Sequence, residues 1–264
     1  MFFVTFFKVC KLLFSINNIF YNKDTMVPNI VIAAVGLVFL TLFLIEKTRK
    51  YSVKATLLKA TTSILFIALG VVSSYLKPEG GLFSALAILG LAFGMLGDVW
   101  LDFKYVFKNE DKIFTYAGFV SFAIGHIFYI TGMFLRFWQE GASVLYIILP
   151  FVAGALLGLV TVLMEKPLKL KFGSMKAITL IYSFFLFSMV SVAVSLSILH
   201  EFRVLTLILM AVGGALFAIS DLILSGTYFG EGKERPVDII TNGVTYYLAQ
   251  YVIAFSLYFV GTIL

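Results

Sequence analysis

Eight stretches of this chain are each apolar for long enough to cross a lipid bilayer as a helix. A helix rises 1.5 Å per residue, so about 20 apolar residues span a hydrocarbon core of about 30 Å. Such stretches lie near 28–46, 54–76, 82–103, 113–136, 143–164, 175–199, 203–225 and 239–262. Of the 264 residues, 61% are hydrophobic and 13% are charged. Soluble domains are nearer about 45–50% apolar and about 25% charged, so a soluble fold would have nowhere to hide this surface. In lipid every backbone N–H and C=O must be bonded within the protein, which leaves helices or closed barrels. Barrel strands would alternate apolar and polar residues, and no such alternation is visible. The expected fold is all-α: a polytopic bundle of eight transmembrane helices over residues 26–264. The short connections make successive helices antiparallel neighbours.

Residues 1–25 read differently. Phe2, Phe3, Phe6, Phe7, Leu12, Leu13 and Phe14 are apolar, but Lys8 and Lys11 interrupt them. No small-residue cleavage site follows, as a signal peptide would require. An interfacial helix or a loose arm fits better. Met26 is a second position at which the chain could start.

The basic residues fall between the apolar stretches. Lys47, Arg49, Lys50, Lys54, Lys104, Lys108, Lys112, Lys166, Lys169, Lys171, Lys176, Lys233 and Arg235 lie around the connections after the first, third, fifth and seventh stretches. The alternate connections hold Lys77, Arg136 and Arg203. The positive-inside rule puts the first set in the cytosol and both termini on the far side. Lys8, Lys11 and Lys23 argue mildly the other way. The net charge of +6 is thus a topology signal and does not imply a nucleic-acid partner. Cys10 is the single cysteine, which excludes an internal disulfide framework and a thiol metal cluster.

Two aspartates inside apolar stretches have nearly the same surroundings. Asp98 lies in Gly90-Leu-Ala-Phe-Gly-Met-Leu-Gly97-Asp98-Val-Trp-Leu101. Asp221 lies in Gly213-Gly214-Ala-Leu-Phe-Ala-Ile-Ser220-Asp221-Leu-Ile-Leu224. A charged side chain at the bilayer centre costs about 2.5–3.5 kcal/mol on insertion scales, so a matched pair points to one shared polar site. Solvation near the interface, or a capping role, is the plainer explanation for either one alone. The two segments align without gaps, and Val53-Lys54-Ala55 resembles Met175-Lys176-Ala177, which suggests a 4+4 internal repeat with a site at its interface. Asp102 stands at the membrane edge and reads as a solvated loop residue.

Further polar residues mark the same stretches. Lys59 either snorkels to the interface or, as a site residue, balances the aspartates or holds a phosphate. His126 and Tyr129 share a helix face. Tyr246, Tyr247 and Gln250 form a similar face on the last stretch, and Ser220 precedes Asp221. Such groups also serve as plain glue between membrane helices.

In order and spacing these residues resemble the YhhN-like lysoplasmalogenase family, also called the transmembrane protein 86 family. The matching pieces are Lys59, Gly97-Asp98 with Leu101, Gly125-His126 with Tyr129, Gly214-Ala-Leu-Phe217 with Ser220-Asp221, and Tyr246-Tyr247-Leu-Ala-Gln250. The proline that shortly follows the family's lysine is absent, since Lys59 precedes Ala60-Thr61-Thr62. The resemblance implies hydrolysis of the vinyl ether bond of lysoplasmalogens to a fatty aldehyde and glycerophospho-ethanolamine or -choline. The chemistry suits paired carboxylates, with Asp98, Asp221 and His126 as catalytic candidates and Lys59, Tyr129, Ser220, Tyr247 and Gln250 in support. It calls for no metal or cofactor. The expected partners are a lysophospholipid substrate and membrane lipid, with the oligomeric state left open. The expected location is the endoplasmic reticulum membrane in a eukaryote or the cytoplasmic membrane in a bacterium. The rival readings are a small-molecule or ion transporter or receptor with an intramembrane aspartate pair, and a structural membrane protein.

Overall fold

The computed structural model describes residues 23–49, 52–230 and 235–264. Most of the expected arm 1–25 therefore lies outside the described residues. The described residues form eight α-helices: α1 (Lys23–Arg49), α2 (Val53–Leu76), α3 (Gly81–Val106), α4 (Asp111–Phe137), α5 (Leu145–Leu163), α6 (Lys176–Leu199), α7 (Leu205–Phe229) and α8 (Pro236–Ser256). Seven of them, α1 to α7, are long and apolar enough to cross a membrane, so the chain is an integral membrane protein by its helices.

The eighth expected stretch, 239–262, differs in extent. Its helix starts three residues earlier and ends at Ser256, where a 3-10 turn, Leu257–Phe259, takes over. At 21 residues α8 is long enough to span, but it is less apolar than the others. Asn242, Tyr246, Tyr247 and Gln250 interrupt its apolar pattern, and the last three are buried towards the other helices. The turn residues Leu257, Tyr258 and Phe259 are also buried, so the chain tucks in where a straight helix would have continued outwards.

Antiparallel neighbours pack as the short connections require: α1 on α2, α3 on α4, α5 on α6 and α7 on α8. Two further contacts match between halves, while α1 also packs on α8 with no counterpart of similar extent. Helix α2 meets α3 as α6 meets α7, and α4 meets α6 as α8 meets α2. Large side chains such as Phe66, Phe83, Met133, Met189 and Met210 fill the centre. Leu37, Leu57, Leu156 and Leu163 point outwards, as lipid-facing residues do.

Without a hydrophobic drive between helices in lipid, close approach through small residues supplies much of the packing energy. Helices α5 and α6 touch this way at Gly154 and Gly158. A Cβ at Gly154 would come within 2.8 Å of the Ser188 backbone N and 3.0 Å of the Phe184 carbonyl O. Backbone cannot swing aside as a side chain can. Gly154→Ala should therefore push the two helices apart and destabilise the bundle by roughly 1–3 kcal/mol, in the range of overpacked cores. Thermal unfolding in a fixed detergent checks this, and an unchanged midpoint would show that α5 and α6 do not meet there.

Candidate functional site

Asp98 and Asp102 are one turn apart, so they share a face of α3. Each is 2% exposed. Lys59 and Ser63, also one turn apart, face them from α2. Ser52 fixes the start of that helix, its hydroxyl accepting the Ala55 N–H at 3.2 Å. Lys59 therefore stands about 10 Å inside the helix at 1.5 Å per residue. Its Nζ lies 3.2 Å from Asp98 Oδ1 and 3.4 Å from Asp102 Oδ1. Lys47, near the end of α1, lies 2.8 Å from the same Asp102 oxygen. The four side chains alternate in sign: Lys47, Asp102, Lys59, Asp98. Burying one charge is costly, and alternation offsets much of that cost.

Asp102 is thus no solvated loop residue. It is buried and bridges two lysines, because α3 continues to Val106 and turns this face inwards. Lys59, for which the sequence left two readings open, is an ion-pair partner with its side chain 14% exposed.

The second oxygen of Asp98 is held by hydroxyls. Ser63 donates to Oδ2 at 2.7 Å and Tyr246 donates to it at 2.9 Å. Behind them, Gln250 Nε2 donates to the Tyr246 hydroxyl at 3.0 Å. Gly94 makes room for that amide, since a Cβ there would lie 2.7 Å from it. The Tyr247 hydroxyl donates to the Lys59 carbonyl at 3.1 Å and lies 3.2 Å from the Ser63 hydroxyl.

Asp221 has a different partner. Tyr182 of α6 donates to its Oδ2, and no cation lies within ion-pair reach among the described residues. Lys59 and Asp98 are 39 residues apart, and so are Tyr182 and Asp221. The same step along the chain carries an ammonium to one aspartate and a phenol to the other. Ser220 beside Asp221 is buried and turned to α8, where Asn242 Nδ2 donates to its carbonyl at 2.8 Å and its hydroxyl at 2.9 Å.

Asp98, Asp102, Asp221, Lys47 and Lys59 line one cavity, with about 680 Å³ of unfilled space when its open mouth is included. Ser220, Tyr246 and Tyr247 also line it, while Gln250 supports it from behind through Tyr246. The cavity lies at the end of the bundle that carries the lysine-rich connections.

His126 and Tyr129 stand apart and line neither this cavity nor the apolar one beside it. The His126 ring is buried against Phe217, Tyr182 and Tyr129, with centroids 5.0, 5.8 and 6.2 Å away, and neither ring nitrogen has a hydrogen-bond partner. The Tyr129 ring fills the space over Gly90. Sequence reasoning did not single out Lys47, Ser63, Tyr182 or Asn242. The 39-residue step between matched helices is the signal that could have found Tyr182 from Lys59. Among the described residues, no three His, Cys, Asp or Glu side chains converge as a metal set.

A family model described as the YhhN family matches residues 54–257, well over half of the chain. No curated protein and no solved structure matches it.

Proposed function

Since the chain belongs to the YhhN family, we propose that it is a membrane lysoplasmalogenase, cleaving the vinyl ether bond of lysoplasmenyl-ethanolamine or -choline at the Asp98–Asp221 cavity. One observation carries the reading most directly: two aspartates with unlike partners, Asp98 buried and Asp221 partly buried, line a cavity of charged side chains that abuts an apolar pocket. The substrate has the same two-part character. By the basic connections the cavity opens to the cytosol, with both termini opposite.

Acid hydrolysis of a vinyl ether starts with proton transfer to the alkene carbon that does not bear oxygen. The resulting oxocarbenium-like cation takes up water at the carbon that does bear oxygen. The hemiacetal then collapses to an aldehyde and the glycerol hydroxyl. One carboxylic acid to give the proton and one carboxylate to stabilise the cation meet these demands, as in glycoside hydrolysis. Asp98, fixed by an ammonium and two hydroxyls, suits the stabilising role. Asp221, held by one phenol at the border of the apolar pocket, suits the donor. Lys59 positions Asp98. Tyr247 positions Lys59 and Ser63, Gln250 positions Tyr246, and Ser220 ties α7 to α8 beside the donor. His126 and Tyr129 act through packing, His126 behind Tyr182 and Tyr129 against Gly90.

The test is chemical. Purified protein should release fatty aldehyde from a lysoplasmenyl lipid. The saturated alkyl-ether analogue cannot form the cation by protonation at carbon. It should bind almost as well, because chain burial contributes about 0.8 kcal/mol per CH₂, and it should inhibit competitively without being cleaved. In deuterated water the product should carry one deuterium on the carbon next to the aldehyde, with exchange after release controlled. Aldehyde formed without that label would exclude carbon protonation. Cleavage of an ester lysolipid at a similar rate would point to an acyl hydrolase.

A further inference from the structure

Asp221 is shared by two pockets, one lined by four further charged side chains and the other by none. One is the charged cavity described above. The other lies among α4, α6 and α7 and is walled by Phe119, Leu186, Phe187 and Ala218, with about 580 Å³ of unfilled space, its mouth included. Leu101, Phe122 and Tyr228 line both pockets, so the two adjoin at the aspartate. The apolar pocket reaches the outer surface. Thr161 of α5 and Leu222 of α7, 52% exposed, belong to its wall. Helices α5 and α7 each pack on α6, and no close packing joins them to one another, which leaves a seam between them on the lipid side.

We propose that a single-chain amphiphile enters through the α5–α7 seam and threads past Asp221, its alkyl chain in the apolar pocket and its phosphate-bearing end in the charged cavity. The proposal rests on the vinyl ether reading for its chemistry, but its geometry stands on the pockets alone. An ether oxygen joins the chain to the polar end of such a lipid. Threading therefore brings the atoms at that junction to the carboxyl group at the boundary. One apolar pocket adjoins the cavity at this point, which matches a lipid with one chain. Ala218 and Thr161 then set how much chain the pocket admits.

The experiment measures binding, not turnover. Saturated alkyl-ether lysophosphoethanolamines with octyl, dodecyl and octadecyl chains are titrated into the purified full-length protein in nanodiscs. In the wild type, affinity should rise with chain length. Ala218→Phe fills the pocket, and Thr161→Trp narrows its mouth. Each should weaken octadecyl binding by about ten-fold or more while changing octyl binding by less than about two-fold, because only the longer chain loses buried methylenes. Thr161→Trp sits at the rim and reads the same pocket should Ala218→Phe fail to fold, which a melting curve reveals. Equal weakening at every chain length, or none at any, in variants that melt like the wild type would overturn the threading. Chain-length-dependent binding without aldehyde release from vinyl ethers would sink the proposed reaction and leave the threading standing. Aldehyde release with no chain-length effect in the variants would do the reverse.

Discussion

Asp98→Asn and Asp221→Asn should each lower aldehyde release by about 10²–10⁴-fold, the range that general acid–base groups contribute. The amide keeps the shape of the carboxyl group and removes both its proton and its charge. At Asp221 the change leaves the surroundings nearly intact, since the Tyr182 hydroxyl can still donate to the amide oxygen. Binding of the saturated ether analogue should therefore persist while turnover is lost, which separates a chemical role from a role in holding the substrate. At Asp98 the change also leaves Lys59 with Asp102 as its acidic partner, and some stability should go with the activity. If either variant folds, binds the analogue and cleaves the vinyl ether at close to the wild-type rate, the carboxylate mechanism is wrong.

The second large effect concerns stability. Lys59→Met removes the cation paired with Asp98, while Asp102 keeps Lys47. Removing one member of a buried ion pair costs about 3–5 kcal/mol, because the remaining charge is stranded out of water. Lys59→Met should thus melt far below the wild type in a fixed detergent. Adding Asp98→Asn should recover much of the loss, since no stranded carboxylate then remains. Contacting residues deviate from additivity by about 0.5–3 kcal/mol, and the sign here should be a rescue. Additive losses in the double variant, or a single variant as stable as the wild type, would mean that the ion chain does not brace α2 against α3.

The helices were legible because lipid leaves the chain so few options. Long apolar runs between basic clusters give seven spans almost directly. The eighth was harder to bound because α8 carries much of the site's polar surface and turns inwards after Ser256. Asp98 and Asp221 stood out because a carboxyl group in an apolar run needs a reason, and two in matched settings need a shared one. Their partners did not stand out. Ser63 and Tyr182 look like any hydroxyl in a membrane helix, and their significance depends on how α2 and α6 are rotated against α3 and α7. Lys47 read as a topology signal, and Asp102 as an edge residue, because sequence position shows depth more readily than it shows which face turns inwards. His126 drew attention because it shares a helix face with Tyr129, and the structure lines neither pocket with it.

The equal 39-residue step from Lys59 to Asp98 and from Tyr182 to Asp221 bears on how two carboxyl groups come to have unlike surroundings. Equal spacing by itself would place the two carboxyl groups alike and give them the same reactivity. Here Asp98 faces an ammonium and two hydroxyls, and Asp221 faces one phenol. Specialisation of that kind requires neither a new loop nor a new helix. Side chains on the helix before each aspartate, Lys59 and Ser63 on one side and Tyr182 on the other, are what make the surroundings of the two carboxyl groups unlike.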